Sequence, residues 1–273
     1  MELQQCKEST AKDILKCGAD EFQDLLLAAQ RLSEDGVKQE CKEKIASLID
    51  LAHRRPARIV PVEVGRDYRR DDWTQRLIDW DDFLTLIASP REHEVVYLAQ
   101  HNIMRQFPAL RDDIVVPDYA YTALPPPESF PRYKPPSNEE ELVINAWFGQ
   151  QGTESPAHTD PFFNLYAQVV GRKTVWLAPP SATQSMYAYP PAEDNSHHNP
   201  AANTTEPSLS NTSQVDVFAS HGDSSEKHPD FWEKVVPHAL YATLEPGDLL
   251  FFPPGWWHAM RSEERSFSVS MWF

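Results

Sequence analysis

The sequence predicts a mainly β domain, with helices at its N-terminal side and on its flanks. Two observations carry this. From Arg58 onward the chain gives short apolar or alternating runs, the patterns of buried and half-buried strands, with few helical stretches between them. Before Arg58 the rhythm is different, with apolar residues three and four positions apart, the spacing of one helix face.

The elements follow in chain order. Ile14, Leu15, Phe22, Leu25 and Leu26 suit a first helix. Val37, Cys41, Ile45, Leu48, Ile49 and Ala52 suit a second, and Pro56 ends the pair. Both are expected to pack against the β domain. The basic cluster from His53 to Arg58 reads as a solvated helix end more readily than as a nuclear address. The expected division is a helical region at 1–57 and one β domain at 58–273. Within the latter, Trp80, Phe83, Leu84 and Ile87 mark an amphipathic helix, and Val95 to Leu98 a strand. Leu124 to Pro136 holds six prolines and reads as a surface loop. Leu142 to Phe148 is apolar enough for a buried strand. Phe163 to Val170 and Lys173 to Leu177 are two more strands, and Gly171-Arg172 between them is short enough for a hairpin.

Residues 179–237 are rich in Pro, Asn, Ser and His. So long a structureless stretch is unusual inside a compact domain, so an insertion between strands is expected, partly ordered by Val215 to Phe218. It could serve as a spacer or as a lid over a substrate. His197-His198, inside it, reads as solvent-exposed. Ala239 to Leu244 alternates as a strand, Glu245 to Asp248 makes a turn, and Leu249 to Phe252 enters the core. Pro253-Pro254-Gly255 then turns into a strand carrying His258. Ser266 to Phe273 alternates again, with Phe267, Val269 and Met271 on one face and Ser266, Ser268, Ser270 and Trp272 on the other.

Composition bounds the function. The chain of 273 residues suits one large domain with a small appendage. A net charge of −16 opposes direct nucleic-acid binding and suits a basic protein or peptide partner. The three cysteines, Cys6, Cys17 and Cys41, form no C-x-x-C and suit a reducing compartment. No apolar run is long enough to span a membrane, and Met1 to Gln5 does not open a signal peptide. An intracellular protein is expected, nuclear or cytoplasmic and not secreted, with the sequons at Asn203 and Asn211 unmodified.

The residues that carry chemistry are His158-Thr159-Asp160 and, on a separate strand, His258. Residues i and i+2 of a strand point to one side, so His158 and Asp160 can share a metal while Thr159 turns away. A third ligand from another strand is what a barrel interior supplies. Two histidines and one carboxylate leave coordination positions open, the pattern of non-haem Fe(II) oxygenases that admit a co-substrate and O2; zinc is the alternative metal. Asn164, Tyr166 and Gln168 share one face just beyond this pair. Lys173 opens the next strand; on its own it reads as a solvated strand-end residue, but beside the metal motif an inward lysine would call for an anion, such as the dicarboxylate 2-oxoglutarate.

Several stretches together resemble the JmjC-domain Fe(II)/2-oxoglutarate oxygenases, the lysine demethylase 8 branch in particular. They are Tyr97 to His101, Ile144 to Gly149, His158 to Pro161, Val169 to Lys173, Asn211 to Val217 and Ser266 to Trp272. The resemblance runs from near Val62 to Phe273. It implies a double-stranded β-helix core, the cupin type of jelly roll, with Fe(II) on His158, Asp160 and His258 and 2-oxoglutarate chelating it. By position it implies that Lys173, Tyr97 and Asn164 hold the distal carboxylate of 2-oxoglutarate, with Ser155 close by. It also implies that Glu63, Gln100, Trp147 and Trp272 line the substrate pocket.

A carboxylate between tryptophan faces suits a guanidinium, which stacks on aromatics and pairs with acids. On their own, Trp147 and Trp272 read as barrel core and Glu63 as a surface charge. The expected activity is hydroxylation of a protein side chain, arginine first, coupled to conversion of 2-oxoglutarate and O2 to succinate and CO2. N-methyl-lysine demethylation is the alternative, and a non-catalytic scaffold the third reading. The chain departs from the family's pattern in its short N-terminal region and its long insertion, both of which bear on partners and substrate entry.

Overall fold

The computed structural model describes residues 58–88, 94–190, 209–220 and 226–273. The two expected N-terminal helices, the three cysteines and His197-His198 lie outside these residues.

Among the described residues, eleven strands form two antiparallel sheets. The strands are β1 (Ile59–Val64), β2 (Thr74–Asp79), β3 (Val96–His101), β4 (Val143–Gly149), β5 (Glu154–Thr159) and β6 (Asn164–Val170), then β7 (Lys173–Ala178), β8 (Leu240–Leu244), β9 (Leu249–Phe252), β10 (Trp257–Ser262) and β11 (Ser266–Trp272). The large sheet runs β2-β1-β3-β4-β11-β6-β9 and the small one β5-β10-β7-β8. Tyr166 and Phe252 of the large sheet pack with Val175, Leu177, Leu244 and Met260 of the small sheet, so the two close on each other as a jelly-roll sandwich. The expected fold class is the one observed.

The outer face of the large sheet is covered by α1 (Trp80–Ala88), and Leu110 of α2 (Pro108–Asp112) packs against the same cluster. Trp80, Phe83 and Ile87 recur at helical spacing and are buried against Phe148, Phe267 and Met271. The Asp79 carboxylate accepts from the Asp81 backbone N–H at 2.9 Å, and Asp81 and Asp82 place negative charge in the first turn, as the helix dipole favours.

The alternation expected for β11 holds, and all seven of its residues are buried. Phe267, Val269 and Met271 meet the helical layer. The serines face the polar interior of the sandwich. The Ser268 hydroxyl donates to Gln168 Oε1 at 2.8 Å, Ser270 Oγ accepts from Trp147 Nε1 at 2.9 Å, and Ser266 and Ser262 share a hydrogen bond of 2.9 Å. A polar face can be buried here because its groups satisfy each other.

The hairpin expected at Gly171-Arg172 does not form. β6 pairs with β11 and β9, whereas β7 pairs with β10 and β8 in the other sheet. The short connection rolls the chain from one sheet to the other. Gly171 has φ +71°, and a Cβ there would sit 2.1 Å from the Arg265 carbonyl oxygen. Arg265 lies in the β10–β11 connection, which makes the same crossing, so the two crossings abut. Loop length fits both arrangements; burial of both strands on two sides decides for the crossing.

The described residues of 179–237 lie between β7 and β8. Val215 and Val217 are buried with Trp176, Met186, Phe231, Val235 and Trp257. Residues 209–217 run beside β5. The Thr159 N–H donates to the Asn211 carbonyl at 3.0 Å, and the Ser213 N–H to the Ala157 carbonyl at 2.8 Å. The segment therefore covers the free edge of β5 at its end nearest the candidate ligands.

Candidate active site

β5 and β10 are neighbours, and their register sets His158 opposite His258, with ring centroids 4.3 Å apart. Asp160 follows β5 directly and places Oδ2 3.5 Å from His258 Nε2. One ligand atom from each of the three residues lies within 4.8 Å of the others. The Nδ1 of His158 faces the Pro156 carbonyl at 2.8 Å, and that of His258 faces the Trp256 carbonyl at 3.1 Å. A carbonyl can only accept, so both Nδ1 atoms carry the proton. The free lone pairs are then on Nε2, aimed at a common point.

The charge states also fit metal binding. Burial, with His258 beside it, pushes His158 down to about 4, so its imidazole is neutral at physiological pH. Burial acts to raise the Asp160 carboxyl, but its proximity to the two histidines outweighs this and holds it below its usual range. A neutral imidazole and an ionised carboxylate are the ligating forms. A stability consequence follows for the metal-free protein. The His158 value falls from 6.5 to about 4 on folding, so the folded state binds fewer protons than the unfolded one in that interval. Stability present above pH 6.5 is lost as the pH falls toward 4, by up to about 1.4 kcal/mol per pH unit. Glu63, raised to about 7, contributes the opposite slope over much of this range, so the His158 part is read as the difference between thermal melts of chelator-treated wild type and His158→Gln; equal pH dependence of the two would contradict the neutral imidazole.

Beside the triad, Lys173 is 1% exposed. Its ammonium donates to Tyr166 Oη at 2.8 Å and to Tyr97 Oη at 3.3 Å. Burial lowers it to about 7, and among the described residues no carboxylate pairs with it. Asn164 is buried with its side-chain oxygen unpaired; rotation of the amide turns the same end into a donor. A cation and two phenols meeting without an anion fit a carboxylate group, and the Asn164 amide stands on β6 two residues before Tyr166. The donor set therefore matches the distal end of 2-oxoglutarate, as the triad matches Fe(II).

Seven of the sequence-predicted site residues line one cavity of about 440 Å³: Glu63, Tyr97, Gln100, Trp147, Ser155, His158 and Asp160. Lys173 lies behind Tyr97. His258 completes the triad, and Asn164 stands at the start of β6. Trp272 is not among the lining residues. It is 8% exposed and stacks on Phe162, with centroids 5.6 Å apart.

Glu63, on its own a surface charge by sequence, is held partly inside. Burial raises it to about 7, against a hydrogen bond from Trp73 Nε1 at 3.3 Å that lowers it. Gln100 adopts φ 47°, a left-handed backbone rare outside glycine, where the β3–β4 register slips between Leu98 and His101. Sequence reasoning assigned no role to Tyr68, Trp73, Asn211 or Thr212, which also line the cavity, or to Tyr166 as a partner of Lys173. Tyr166 was legible from its shared face with Asn164; the loop residues carried no periodic signal.

Known proteins bear on this geometry. The model of the family described as a cupin-like domain matches residues 27–273. Lysine-specific demethylase 8 of Danio rerio is 40% identical over 217 residues, covering 79% of this chain and 45% of that protein. Its namesake in Xenopus tropicalis is 37% identical over 216 residues, covering 79% and 41%. Jumonji C domain-containing protein 5 of Drosophila melanogaster is 36% identical over 224 residues, covering 79% and 47%. The chain thus spans less than half the length of these relatives.

Proposed function

The chain belongs to the cupin-like domain family, and from that premise we propose that it is an Fe(II)- and 2-oxoglutarate-dependent dioxygenase of the JmjC type that hydroxylates a protein side chain, arginine first. The observation that carries the reading is the pairing of an open-sided triad, His158, Asp160 and His258, with a buried lysine that lacks an anion. When bound, Fe(II) with 2-oxoglutarate and O2 supplies an oxidant that inserts oxygen into a C–H bond, with succinate and CO2 as co-products. The residues of the chain do the rest. Lys173, Tyr97, Tyr166 and Asn164 anchor a carboxylate. The two backbone-bonded imidazoles hold ligand geometry. The rings of Tyr68, Trp73, Tyr97 and Trp147 wall part of the cavity.

Glu63 faces the cavity with one oxygen engaged by Trp73 and accepts a cationic side chain, while Trp147, fixed by its bond to Ser270, offers a ring face nearby. Glu63→Gln is expected to lower kcat/KM for the substrate peptide at least about tenfold, leaving peptide-independent turnover of 2-oxoglutarate intact. The Glu63 value near 7 implies that the wild-type kcat/KM for peptide rises as the pH passes through about 7, where the carboxyl ionises. The glutamine variant should lose that rise. An unchanged pH profile in E63Q would remove Glu63 from substrate binding.

N-methyl-lysine demethylation is the second reading, favoured by the names of the vertebrate relatives, which are called lysine-specific demethylases. Glu63 and Trp147 can receive a methylammonium as well as a guanidinium. A scaffold role is disfavoured because the triad and Lys173 are all present. No helix among the described residues is long and apolar enough to cross a membrane, and we place the substrate among basic protein segments, in the nucleus or cytoplasm. The test is succinate formation by anaerobically Fe(II)-loaded protein with arginine-containing and methyl-lysine-containing peptides, followed by peptide mass. One added oxygen on arginine supports the first reading. Formaldehyde with loss of a methyl group supports the second. Absence of turnover together with absence of metal and 2-oxoglutarate binding leaves the scaffold.

A further inference from the structure

We propose that Arg69, in the β1–β2 connection, is a positioning residue that holds the 209–217 segment against β5 as a wall of the substrate cavity. The segment comes from a distant part of the chain, yet Asn211 and Thr212 line the cavity beside His158 and Asp160. Its own attachment to β5 is thin. It consists of the Thr159–Asn211 and Ser213–Ala157 backbone bonds, a bond from Asn211 Nδ2 to the Thr159 carbonyl at 2.8 Å, and an isolated bridge between His158 and Thr212.

Arg69 supplies the outer clamp. Its Nη1 donates to the Val215 carbonyl at 2.8 Å and to the Ser213 carbonyl at 3.2 Å. Its Nε donates to Asp67 Oδ2 at 2.9 Å, and the Asp67 carboxylate also receives the Arg69 backbone N–H at 2.8 Å. Both side chains are nearly enclosed, at 11% and 8% exposed, so this is a desolvated pair and not a surface contact. The planar guanidinium can meet a carboxylate with one edge and two carbonyls with another nitrogen; an ammonium cannot span that set. Between the clamp and the segment stands Tyr68, whose hydroxyl lies 3.4 Å from Thr212 Oγ1 and which lines the same cavity. The β1–β2 connection thus carries Tyr68, Arg69 and Trp73 as one unit. Arg69 acts through the wall, not on the reacting atoms.

The substrate part of this inference rests on the oxygenase reading, so the test has one arm that does not. Arg69→Lys keeps the charge, and the double variant Asp67→Asn/Arg69→Met removes the pair without leaving an orphaned buried charge. Hydrogen exchange of the amides of 209–217 and of Thr159, measured without substrate, should speed up roughly tenfold or more in both variants while the β10 and β11 amides keep their protection. With the arginine-containing peptide panel, the apparent KM for peptide should rise about tenfold in both, and that for 2-oxoglutarate should stay at its wild-type value. Unchanged exchange overturns the clamp whatever the activity. Faster exchange with an unchanged peptide KM overturns the positioning role and leaves a structural contact. If wild-type protein modifies none of the peptides, the functional reading fails, and the exchange arm still decides the clamp.

Discussion

Lys173→Met should weaken binding of 2-oxoglutarate about a hundredfold or more and, at the same time, cost the co-substrate-free protein less stability at pH 6 than at pH 9. The two effects have one cause. Lys173 is enclosed, hydrogen-bonded among the described residues to Tyr166 and Tyr97 alone, and lowered by burial to about 7. Below that pH the fold carries a desolvated ammonium without its counter-charge, a situation relieved only when an anion arrives. Removing the charge should weaken 2-oxoglutarate affinity about a hundredfold or more, because a buried charge pair loses one member. In the free protein the substitution removes a desolvation penalty of up to a few kcal/mol at pH 6. The two phenol hydroxyls, losing a donor, offset it by about 1–3 kcal/mol each.

The sign with pH is fixed. The folded value lies below the unfolded one of 10.5, so the folded wild type binds fewer protons between the two, and its stability rises from about pH 7 toward 10.5. The methionine variant lacks that rise. Calorimetric binding together with melting midpoints at pH 6 and pH 9 tests both halves. Undiminished 2-oxoglutarate affinity in K173M would end the assignment of this lysine as the carboxylate anchor.

Gly171→Ala should be among the most destabilising single substitutions in the domain, although the residue is remote from the triad in function. Two penalties coincide there. The backbone has φ +71°, where an L side chain is strained, and the new methyl group would meet the Arg265 carbonyl oxygen at 2.1 Å, far inside contact distance. The obstacle is backbone in the abutting β10–β11 crossing, so no rotamer change relieves it. A loss of about 3–5 kcal/mol is expected, with a melting midpoint lower by roughly 10 °C. Melting by circular dichroism decides; a shift within a degree or two would mean that the crossings do not abut as described.

The legibility of this molecule follows from which signals are local. His158 and Asp160 were readable because the two-residue period of a strand puts them on one side. Lys173 was readable because an inward cation demands an anion. The serine face of β11 and the helix at Trp80 were readable from periodicity. Whether two consecutive strands share a sheet is not a local property. The Gly171-Arg172 link has the length of a hairpin, and only the packing of both strands on two sides makes it a crossing. β2 was missed because its first four residues, Thr74 to Leu77, are exposed and show no alternation of burial. Glu63 read as a surface charge because its environment is made by Trp73, which sits in a loop without period. The wall at Asn211 and Thr212 was quoted as a motif, but its place against β5 depends on contacts made across more than a hundred residues of sequence, Arg69 to Val215 among them.

The strand that carries His158 and leads directly into Asp160 is also an edge strand of its sheet. Left bare, β5 would offer a row of free amides and carbonyls to any passing strand, the usual route to intermolecular pairing. Residues 211–213 occupy the end of that row nearest the ligands, and the Arg66 carbonyl takes the Glu154 amide at the other. The wall of the cavity is therefore also a guard on solubility, and the pressure to keep it in place does not come from chemistry alone. A variant that loosens it exposes the chain to self-association before any substrate is involved, so colony yield and storage life would register the defect as readily as an enzyme assay.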